Sequence, residues 1–290
     1  MTLRRMTVSD IPAAQRLRAL AQWNQTDADW RLLLDLAPES CFVAEIDGLV
    51  VGTASAVRFD PAHGPKSFGW IGMLLVDPAQ RRLGIGSALL NHCIAFLNQH
   101  GVETIKLDAT PLGKKVYDGL GFCTEYTLER YEGTAQPSTL SSASEAWNIK
   151  LLRSAEMNEL YDFDAPIFGA RRNAILDAWR KNIPECAFVA RINDAIAGFV
   201  LARRGERFQH IGPVIGTTPA LCESLLCKAL QALQSQPVVV DLLSENPWTL
   251  PIVGRCGLHA QRPLIRMFRG PNTSPDRPDQ VLAICCPELG

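Results

Sequence analysis

The sequence lacks the features that mark membrane, secreted and nucleic-acid-binding proteins. No apolar run reaches the roughly 20 residues that cross a bilayer as a helix, and the opening residues, MTLRRMTVSD, contain no apolar signal core. The formal net charge is only −1, so no basic surface favours a nucleic acid or an anionic membrane. We therefore expect a cytoplasmic protein that has neither a nucleic acid nor a membrane as a partner.

Paired cysteines are missing as well. The nine cysteines are odd in number, contain no C-x-x-C pair and lie mostly within apolar segments. This arrangement predicts buried, reduced thiols, with no disulfide and no metal site, although Cys285 and Cys286 are expected to be exposed and oxidisable. The 290 residues, 47% hydrophobic and 20% charged, describe a globular chain with room for two domains.

The most informative stretch is a strand, a turn and a helix within residues 70–96. Residues 71–76 form a short apolar run that Asp77-Pro78 ends, which predicts a buried strand. Apolar residues then recur at helical spacing over residues 88–97, which predicts an amphipathic helix packed on the sheet.

The turn between this strand and this helix predicts an anion site. A helix N-terminus carries unpaired N–H groups and partial positive charge, and glycines let the backbone approach a phosphate closely. A pyrophosphate fits such a turn. The third glycine of a dinucleotide fingerprint is replaced by Leu89, and no G-K-[ST] of a P-loop is present. The turn reads Arg81-Arg82-Leu83-Gly84-Ile85-Gly86-Ser87.

The R-x-x-G-x-G pattern from Arg81 to Gly86, between an LLVDP strand and an amphipathic helix, resembles the coenzyme A motif of the GCN5-related N-acetyltransferases. Tyr117 lies in a Y-x-x-L-G-F sequence that resembles the end of that family's fourth helix. The predicted order of strands and helices over residues 1–133 also fits the family. The resemblance implies an α/β (mixed α+β) fold with a mostly antiparallel sheet flanked by helices, and acetyl-CoA as co-substrate.

The second half of the sequence repeats the first. Residues 134–144 are polar and rich in Ser and Thr, which predicts a linker. After it, Phe42-Val43-Ala44 returns as Phe188-Val189-Ala190, and Asp108 returns as Asp241. The second copy comprises residues 145–290. The loop directly after its central strand contains no arginine and no G-x-G, so we do not expect this copy to bind coenzyme A. It resembles the degenerate C-terminal domain of tandem family members and would shape the acceptor site or an interface.

By resemblance, residues 1–133 form the catalytic domain, which would bind acetyl-CoA. The N–H groups of residues 82–87 would hold the pyrophosphate, the pantetheine arm would lie along residues 74–76 at a splayed sheet edge, and the Leu75 N–H would face the thioester oxygen. Thr110 stands where many members carry an Asn. The residues predicted to bind acetyl-CoA are Leu74, Leu75, Val76, Arg81, Arg82, Leu83, Gly84, Ile85, Gly86, Ser87, Thr110, Lys114 and Tyr117.

Tyr117 is the predicted catalytic acid. In the family this tyrosine points at the leaving thiolate, and a phenol with a pKa near 10 stays protonated at neutral pH. The alternative is a tyrosine that packs in the interior with its hydroxyl bonded to a backbone group.

The base that accepts the amine proton is not identifiable from the sequence. Asp108 lies at the end of a predicted strand. It is either a cap or salt-bridge partner or a catalytic carboxylate of the site, and the sequence supports the catalytic role only weakly. Asp27, Asp29 and His63 lie in predicted loops that could reach the cleft. The connection that borders the acceptor site in the family either binds substrate here or merely caps and packs two helices; its candidates are Trp23, Asn24 and Gln25.

The sequence therefore predicts an N-acetyltransferase that transfers an acetyl group from acetyl-CoA directly to the amine of a small molecule or peptide. It would work without a metal, as a monomer or homodimer. The alternative is a non-catalytic acyl-CoA-binding sensor or regulatory module, which the missing base and the degenerate second half favour. The intact Arg81, Gly84, Gly86 and Tyr117 favour the enzyme.

Overall fold

The computed structural model describes residues 1–62, 66–136, 147–272 and 276–290. The first half of the chain forms strands β1 (Thr2–Arg5), β2 (Cys41–Ile46), β3 (Leu49–Phe59), β4 (Phe68–Val76), β5 (Thr104–Ala109) and β6 (Cys123–Thr134). Its helices are α1 (Ile11–Leu20), α2 (Asp27–Leu36), α3 (Ile85–Gln99) and α4 (Pro111–Asp118). No helix in the described ranges is long and apolar enough to cross a membrane.

The second half repeats this order of elements and adds one strand. Its strands are β7 (Asn148–Leu151), β8 (Phe188–Ile192), β9 (Ala195–Arg203), β10 (Gln209–Gly216), β11 (Pro237–Leu243), β12 (His259–Arg269) and β13 (Val281–Ala283). Its helices are α5 (Met157–Phe168), α6 (Asn173–Asn182), α7 (Pro219–Ala232) and α8 (Thr249–Cys256). The repeat read from the sequence is thus a repeat of structure, and the mixed α/β fold class is confirmed.

The predicted strand, turn and helix are β4, the 81–84 turn and α3. β4 is longer than the apolar run because Phe68 and Trp70 extend it, both fully buried. α3 buries one face against the sheet, as its spacing of apolar residues predicts. The chain leaves this helix through Gly101, which has a left-handed φ of 74° that suits glycine.

All thirteen strands belong to one sheet, in the order β1-β2-β3-β4-β5-β12-β6-β11-β13-β10-β9-β8-β7. The two halves meet through exchanged closing strands. β12 of the second half pairs antiparallel with β5 of the first, from Ile265↔Ala109 to Arg269↔Ile105. β6 of the first half pairs antiparallel with β11 of the second. Each closing strand therefore completes the sheet of the other half.

Two buried ion pairs join the exchanged strands to their neighbours. Arg266 on β12 donates two hydrogen bonds of 2.9 Å to Asp108 on β5. Arg130 on β6 donates two of 2.7 Å to Asp241 on β11. All four side chains are buried. Because an unpaired buried charge is strongly unfavourable, each pair favours the register that brings its partners together.

The central strand of each half separates from its parallel neighbour. β4 pairs with β5 over only three residue pairs, beginning at Phe68↔Thr104, and β10 pairs with β11 over three, beginning at Gln209↔Val238. In the second half β13 fills the resulting gap and pairs with both β10 and β11. No strand from the described part of the chain enters the matching gap between β4 and β5, so that gap stays open.

The predicted linker begins inside the sheet. Thr134 is the last residue of β6, and Ala135 continues the pairing through hydrogen bonds with Gln236 and Ser235. Residues 137–146, which include most of the predicted linker, lie outside the described residues. The domain boundaries at 133 and 145 remain a proposal. Because β6 and β12 are exchanged, neither half of the chain completes its own sheet.

The nine cysteines are reduced thiols, and eight of them are buried. Cys123 is the exposed one. The expectation that Cys285 and Cys286 are exposed is wrong, since both are fully buried. Their burial follows from the path of segment 284–290, which packs against the central strands of the sheet instead of running along the surface.

Candidate active site

The open gap between β4 and β5 leads into a cavity of about 710 Å³. Its walls come from the connection before α2, strand β4, the turn before α3, helix α4, strand β12, and Pro287 and Glu288. Both halves of the chain therefore line it. A cavity of this size, with a charged turn and a long apolar strand in its walls, suits an elongated ligand that has an anionic end.

The 81–84 turn is shaped to receive an anion. Gly84 precedes α3 with a left-handed φ of 77°, and Arg82 has a φ of 66°. The first helical hydrogen bond runs from Ala88 N to Gly84 O, so the N–H groups of residues 85–87 have no acceptor within the helix. The first turn contains no acidic residue. Arg81 and Arg82 are exposed. These donors and charges are available to a phosphate.

Strand β4 supplies the apolar wall. Its pairing with β3 shifts register between Thr53 and Ser55, and the bulge places Met73 at a φ of 51°. Thr53 Oγ1 supports the bulge with a 2.8 Å hydrogen bond to Met73 O. A left-handed φ costs a non-glycine residue about 1–2 kcal/mol. The strand keeps this unfavourable shape just before residues 74–76, which line the cavity. The sequence did not predict the bulge.

Tyr117 lies in α4 and lines the cavity. Gly113 makes room for its ring, because a Cβ there would lie 3.0 Å from Tyr117 Cε2. Burial raises the pKa of Tyr117 to about 12, so the phenol carries its proton at neutral pH. Its hydroxyl forms no hydrogen bond with a residue that the structure describes, which argues against the alternative of a hydroxyl bonded to the backbone.

Most of the residues predicted to bind the donor line the cavity: Leu74, Leu75, Val76, Arg81, Arg82, Gly84, Ile85, Gly86, Ser87, Thr110 and Tyr117. Leu83 and Lys114 are not among them. The Leu83 side chain is directed to solvent, 65% exposed, so only its backbone could contribute. Lys114 forms a surface ion pair of 2.8 Å with Asp118, the residue one helical turn ahead.

Two of the three predicted substrate residues also line the cavity. Trp23 and Gln25 do, but Asn24 does not. Asn24 Oδ1 accepts hydrogen bonds of 3.0 Å from the N–H groups of Arg207 and Phe208, and its Nδ2 donates one of 3.0 Å to Phe208 O. Asn24 lies outside the cavity lining, and its amide instead holds a turn of the second half, so the geometry favours the capping and packing alternative for this residue.

Two of the carboxylates considered in the sequence, Asp108 and Asp29, are engaged in ion pairs, whereas Asp27 is exposed at the start of α2 and does not line the cavity. Both oxygens of Asp108 accept from Arg266, the geometry of the salt-bridge alternative, and burial raises the pKa of Asp108 against the opposing charge of Arg266. Asp29 accepts a 3.1 Å hydrogen bond from Arg203 and caps its own helix. His63 lies outside the described residues. The geometry leaves Asp108 and Asp29 poorly placed to take a proton from a substrate.

Sequence reasoning missed one carboxylate, Glu288, which reaches the cavity from segment 284–290. The segment lies across β4. Trp70 Nε1 donates a 3.1 Å hydrogen bond to Pro287 O. Gly72 permits the close contact, since a Cβ there would lie 2.5 Å from Glu288 O. The only signal in the sequence is a single acid within the run ICCPELG.

Glu288 is buried and charged. Arg203 Nη2 donates a 2.8 Å hydrogen bond to its Oε1, while Oε2 is buried without a hydrogen-bond partner. Burial raises the pKa of Glu288, but the charge of Arg203 and the other interactions of the carboxylate together lower it by more, so the pKa lies below its ordinary value. The carboxylate is therefore ionised at neutral pH, and its residue lines the cavity with one buried oxygen unpaired.

Comparison with known proteins identifies the family. Residues 10–122 match the acetyltransferase (GNAT) family, and residues 160–283 match an acetyltransferase (GNAT) domain. The two matches together account for most of the chain. The protein belongs to the GNAT family, the GCN5-related N-acetyltransferases, and carries two GNAT domains in tandem.

Relatives and solved structures agree with this assignment. The chain is 23% identical to the holothin acyltransferase of a Pseudoalteromonas species, over 93% of this chain and 87% of that one. It is 25% identical to an uncharacterized N-acetyltransferase of Bacillus subtilis, over 61% of each. A putative acetyltransferase from Pyrococcus horikoshii has a similar fold, with a TM-score of 0.81, 22% identity and coverage of 100% and 95%. A tandem GNAT protein from the clavulanic acid pathway superposes with a TM-score of 0.63 at 13% identity, over 93% of this chain and 98% of that one.

Proposed function

We propose that the protein is an N-acetyltransferase that moves an acetyl group from acetyl-CoA directly to an amine. The observation that supports this most is a single cavity that joins an anion-binding turn, an apolar strand and a free phenol. The turn 81–87 would hold the pyrophosphate, β4 would guide the pantetheine arm, and Tyr117 would stand near the sulfur. Relatives named as acyl- and acetyltransferases support the same reaction class.

The reaction needs three contributions from the chain. The N–H of Leu75 would stabilise the thioester oxygen as negative charge develops on it. The amine nitrogen attacks the carbonyl carbon, the C–S bond breaks, and the thiolate takes the phenolic proton of Tyr117. The proton that the nitrogen loses leaves through the polar side of the cavity, and solvent returns one to Tyr117. No metal is required for any of these steps.

A thermal-shift titration with acetyl-CoA tests the donor site. A ligand at about 100 times its Kd stabilises the folded state by about 2.7 kcal/mol, which for a chain of this size raises Tm by roughly 5 to 10 °C. We expect this rise in the wild type and not in a Gly84→Glu/Gly86→Glu variant. Acidic side chains there would repel the pyrophosphate, and at Gly84 the left-handed φ adds strain.

The second half offers a matched control. Thr217 and Ala220 are exposed at the start of α7, and position 220 corresponds to Gly84 in the internal repeat. Thr217→Glu/Ala220→Glu adds the same charge at the equivalent helix end and should leave the acetyl-CoA shift intact. A shift that survives the Gly84→Glu/Gly86→Glu change, or that no acyl-CoA produces in the wild type, would contradict the proposal.

A further inference from the structure

We propose that the acceptor is an amine that also carries an anionic group such as a carboxylate, with Glu288 and Gln25 receiving its amino end and Arg262 its anionic end. The proposal deepens the function proposed above and rests on it. It names a substrate class that the acetyltransferase fold does not specify. Three polar side chains that line the cavity, those of Glu288, Gln25 and Arg262, each carry a buried atom without a hydrogen-bond partner.

Two of these groups are buried acceptors. Glu288 Oε2 and Gln25 Oε1 each have no hydrogen-bond partner, and their residues are only 4% and 5% exposed. Both residues line the cavity. Leaving a buried acceptor unpaired costs about 1–3 kcal/mol, and more when the acceptor is charged, so the pair of oxygens favours a ligand with N–H donors. An ammonium group supplies three.

The charge balance around Glu288 favours a cation as well. Arg203 is the guanidinium that contacts it, and Arg203 also contacts Asp29 at 3.1 Å. One arginine is thus shared between two buried carboxylates. A positively charged amino group beside Glu288 would balance the second carboxylate. The same oxygen would then be hydrogen-bonded to the nitrogen whose proton must leave before attack.

Arg262 provides the complementary charge. It lies on β12 beyond Ile265, the last residue that pairs with β5. On the β5 side this part of β12 is therefore unpaired and borders the cavity, while its other side still pairs with β6. Its Nε is buried without a partner, and no described residue forms an ion pair with it. The adjacent Arg130 is already bound through two hydrogen bonds to Asp241. Arg262 is therefore an uncompensated, half-buried cation.

A single ligand satisfies both ends. A guanidinium binds a carboxylate through parallel charge-assisted hydrogen bonds, which are about twice as strong as neutral ones. Arg81 and Arg82 lie on the turn before α3, whereas Arg262 lies on an exchanged strand of the second half, so its charge is additional to that of the donor turn. The amine end is then held where the acetyl group arrives, and the anionic end is held by the second half.

The test compares amines of matched length that differ in the charge of the far group, each at the same concentration of unprotonated amine. Glycine, 4-aminobutanoate and 6-aminohexanoate place the carboxylate at increasing distances from the amine, and each is paired with its own amide, which removes the charge at constant shape. Transfer from acetyl-CoA is measured as kcat/KM for all six. We expect at least one carboxylate to be preferred over its amide by about 10- to 100-fold.

Variants assign the preference to residues. Arg262→Gln should abolish the preference for the carboxylate while the acetyl-CoA thermal shift is retained. Arg204→Gln removes an exposed arginine from the end of β9 and should change nothing. Glu288→Gln should lower kcat/KM for carboxylates and amides alike. Because that variant also disturbs Arg203, Gln25→Leu provides a second test that leaves the Arg203–Glu288 pair in place.

Three results would overturn the inference: equal kcat/KM for every carboxylate and its amide, a preference that survives Arg262→Gln, or no transfer to any of the carboxylates. Failure of acetyl-CoA to raise Tm would instead overturn the proposed function. The two failures are therefore distinguishable.

Discussion

The two halves of this protein share a fold and differ in what occupies the gap beside their central strand. In the first half the gap between β4 and β5 is open and leads to the cavity. In the second half β13 lies between β10 and β11 and hydrogen-bonds to both. The segment that follows β13 then crosses the first half and delivers Glu288. Residues 281–290 thus fill the gap of the second half with β13 and add Glu288 to the cavity of the first half.

The difference extends to the loops. Eight residues, including the anion turn, separate β4 from α3, whereas β10 ends at Gly216 and α7 begins at Pro219. α4 carries Tyr117, whereas α8 contains no tyrosine. A shared fold therefore does not imply a shared function, since the ligand-binding parts are a loop and a few side chains placed on it. Variants in matched positions of the two halves test whether catalysis depends on the first half alone.

The largest effect is expected from removing the phenol of the first half. Tyr117→Phe deletes the acid that we propose protonates the thiolate, so kcat should fall by about 10²- to 10⁴-fold while the acetyl-CoA thermal shift is unchanged. Because the pKa of Tyr117 is about 12, the wild-type rate should show no decline from tyrosine ionisation between pH 7 and 10. Steady-state kinetics over that range measure both.

Tyr131→Phe is the matched control, since Tyr131 is buried in the core of the second half and loses only a hydroxyl. Its kcat should equal that of the wild type. Unchanged kcat in Tyr117→Phe would remove the acid role, and a wild type that binds acetyl-CoA but acetylates no amine would favour the non-catalytic sensor.

The two buried ion pairs of the exchanged strands should differ in strength. Removing one partner of such a pair costs about 3–5 kcal/mol. Arg266→Met should lie at the top of that range, because Arg266 also donates to Asp276 at 2.8 Å and to Tyr126 at 2.6 Å. Arg130→Met leaves Asp241 only 3.2 Å from His210 Nε2, which can take a proton and compensate, so its loss should be smaller.

Denaturant unfolding of the two variants at neutral pH measures this difference. The double variant Asp108→Leu/Arg266→Met should recover part of the loss, because it leaves no unpaired charge at position 108. Equal losses for Arg266→Met and Arg130→Met would show that Asp276, Tyr126 and His210 do not alter the energetics of the pairs.

The smallest effect concerns the acid-capped turns that open both halves. Asp10 accepts hydrogen bonds from Arg4 and from Thr7 N, and Glu156 accepts from Arg191 and Arg153 N. Asp10→Asn and Glu156→Gln should each cost roughly 1–2 kcal/mol at pH 6.

The loss of stability in Asp10→Asn should become smaller at acidic pH. The Arg4 hydrogen bond lowers the pKa of Asp10 from 3.8 to about 2. A lowered folded-state pKa contributes stability above the unfolded value, and this contribution is lost as pH falls from about 4 toward 2. The penalty of Asp10→Asn, measured by urea unfolding at pH 6 and pH 3, should therefore shrink at the lower pH. A penalty that does not depend on pH would contradict the role of the charge.

Local patterns in the sequence were enough for the elements that carry the donor site. The apolar run of β4, the glycine turn and the periodic spacing of α3 depend on neighbours a few residues apart, and Tyr117 could be located by its motif. The repeat could also be read, because both halves preserve apolar positions at similar spacing. The hydrogen bonds of Asn24 could not be read from the sequence, because its partners at residues 207 and 208 lie far away in the chain.

The sequence by itself determined the strand–turn–helix unit, the repeat and the class of ligand that the turn would accept, since each follows from short-range periodicity and backbone chemistry. Only the tertiary structure decided which strands are exchanged, that β13 fills the second cleft, and that Glu288, Gln25 and Arg262 meet in one cavity. These outcomes depend on pairings between residues far apart in the chain, from about 40 positions for β11 with β13 to about 160 for β5 with β12. Sheet register and buried ion pairs select them from the many arrangements that local pattern allows.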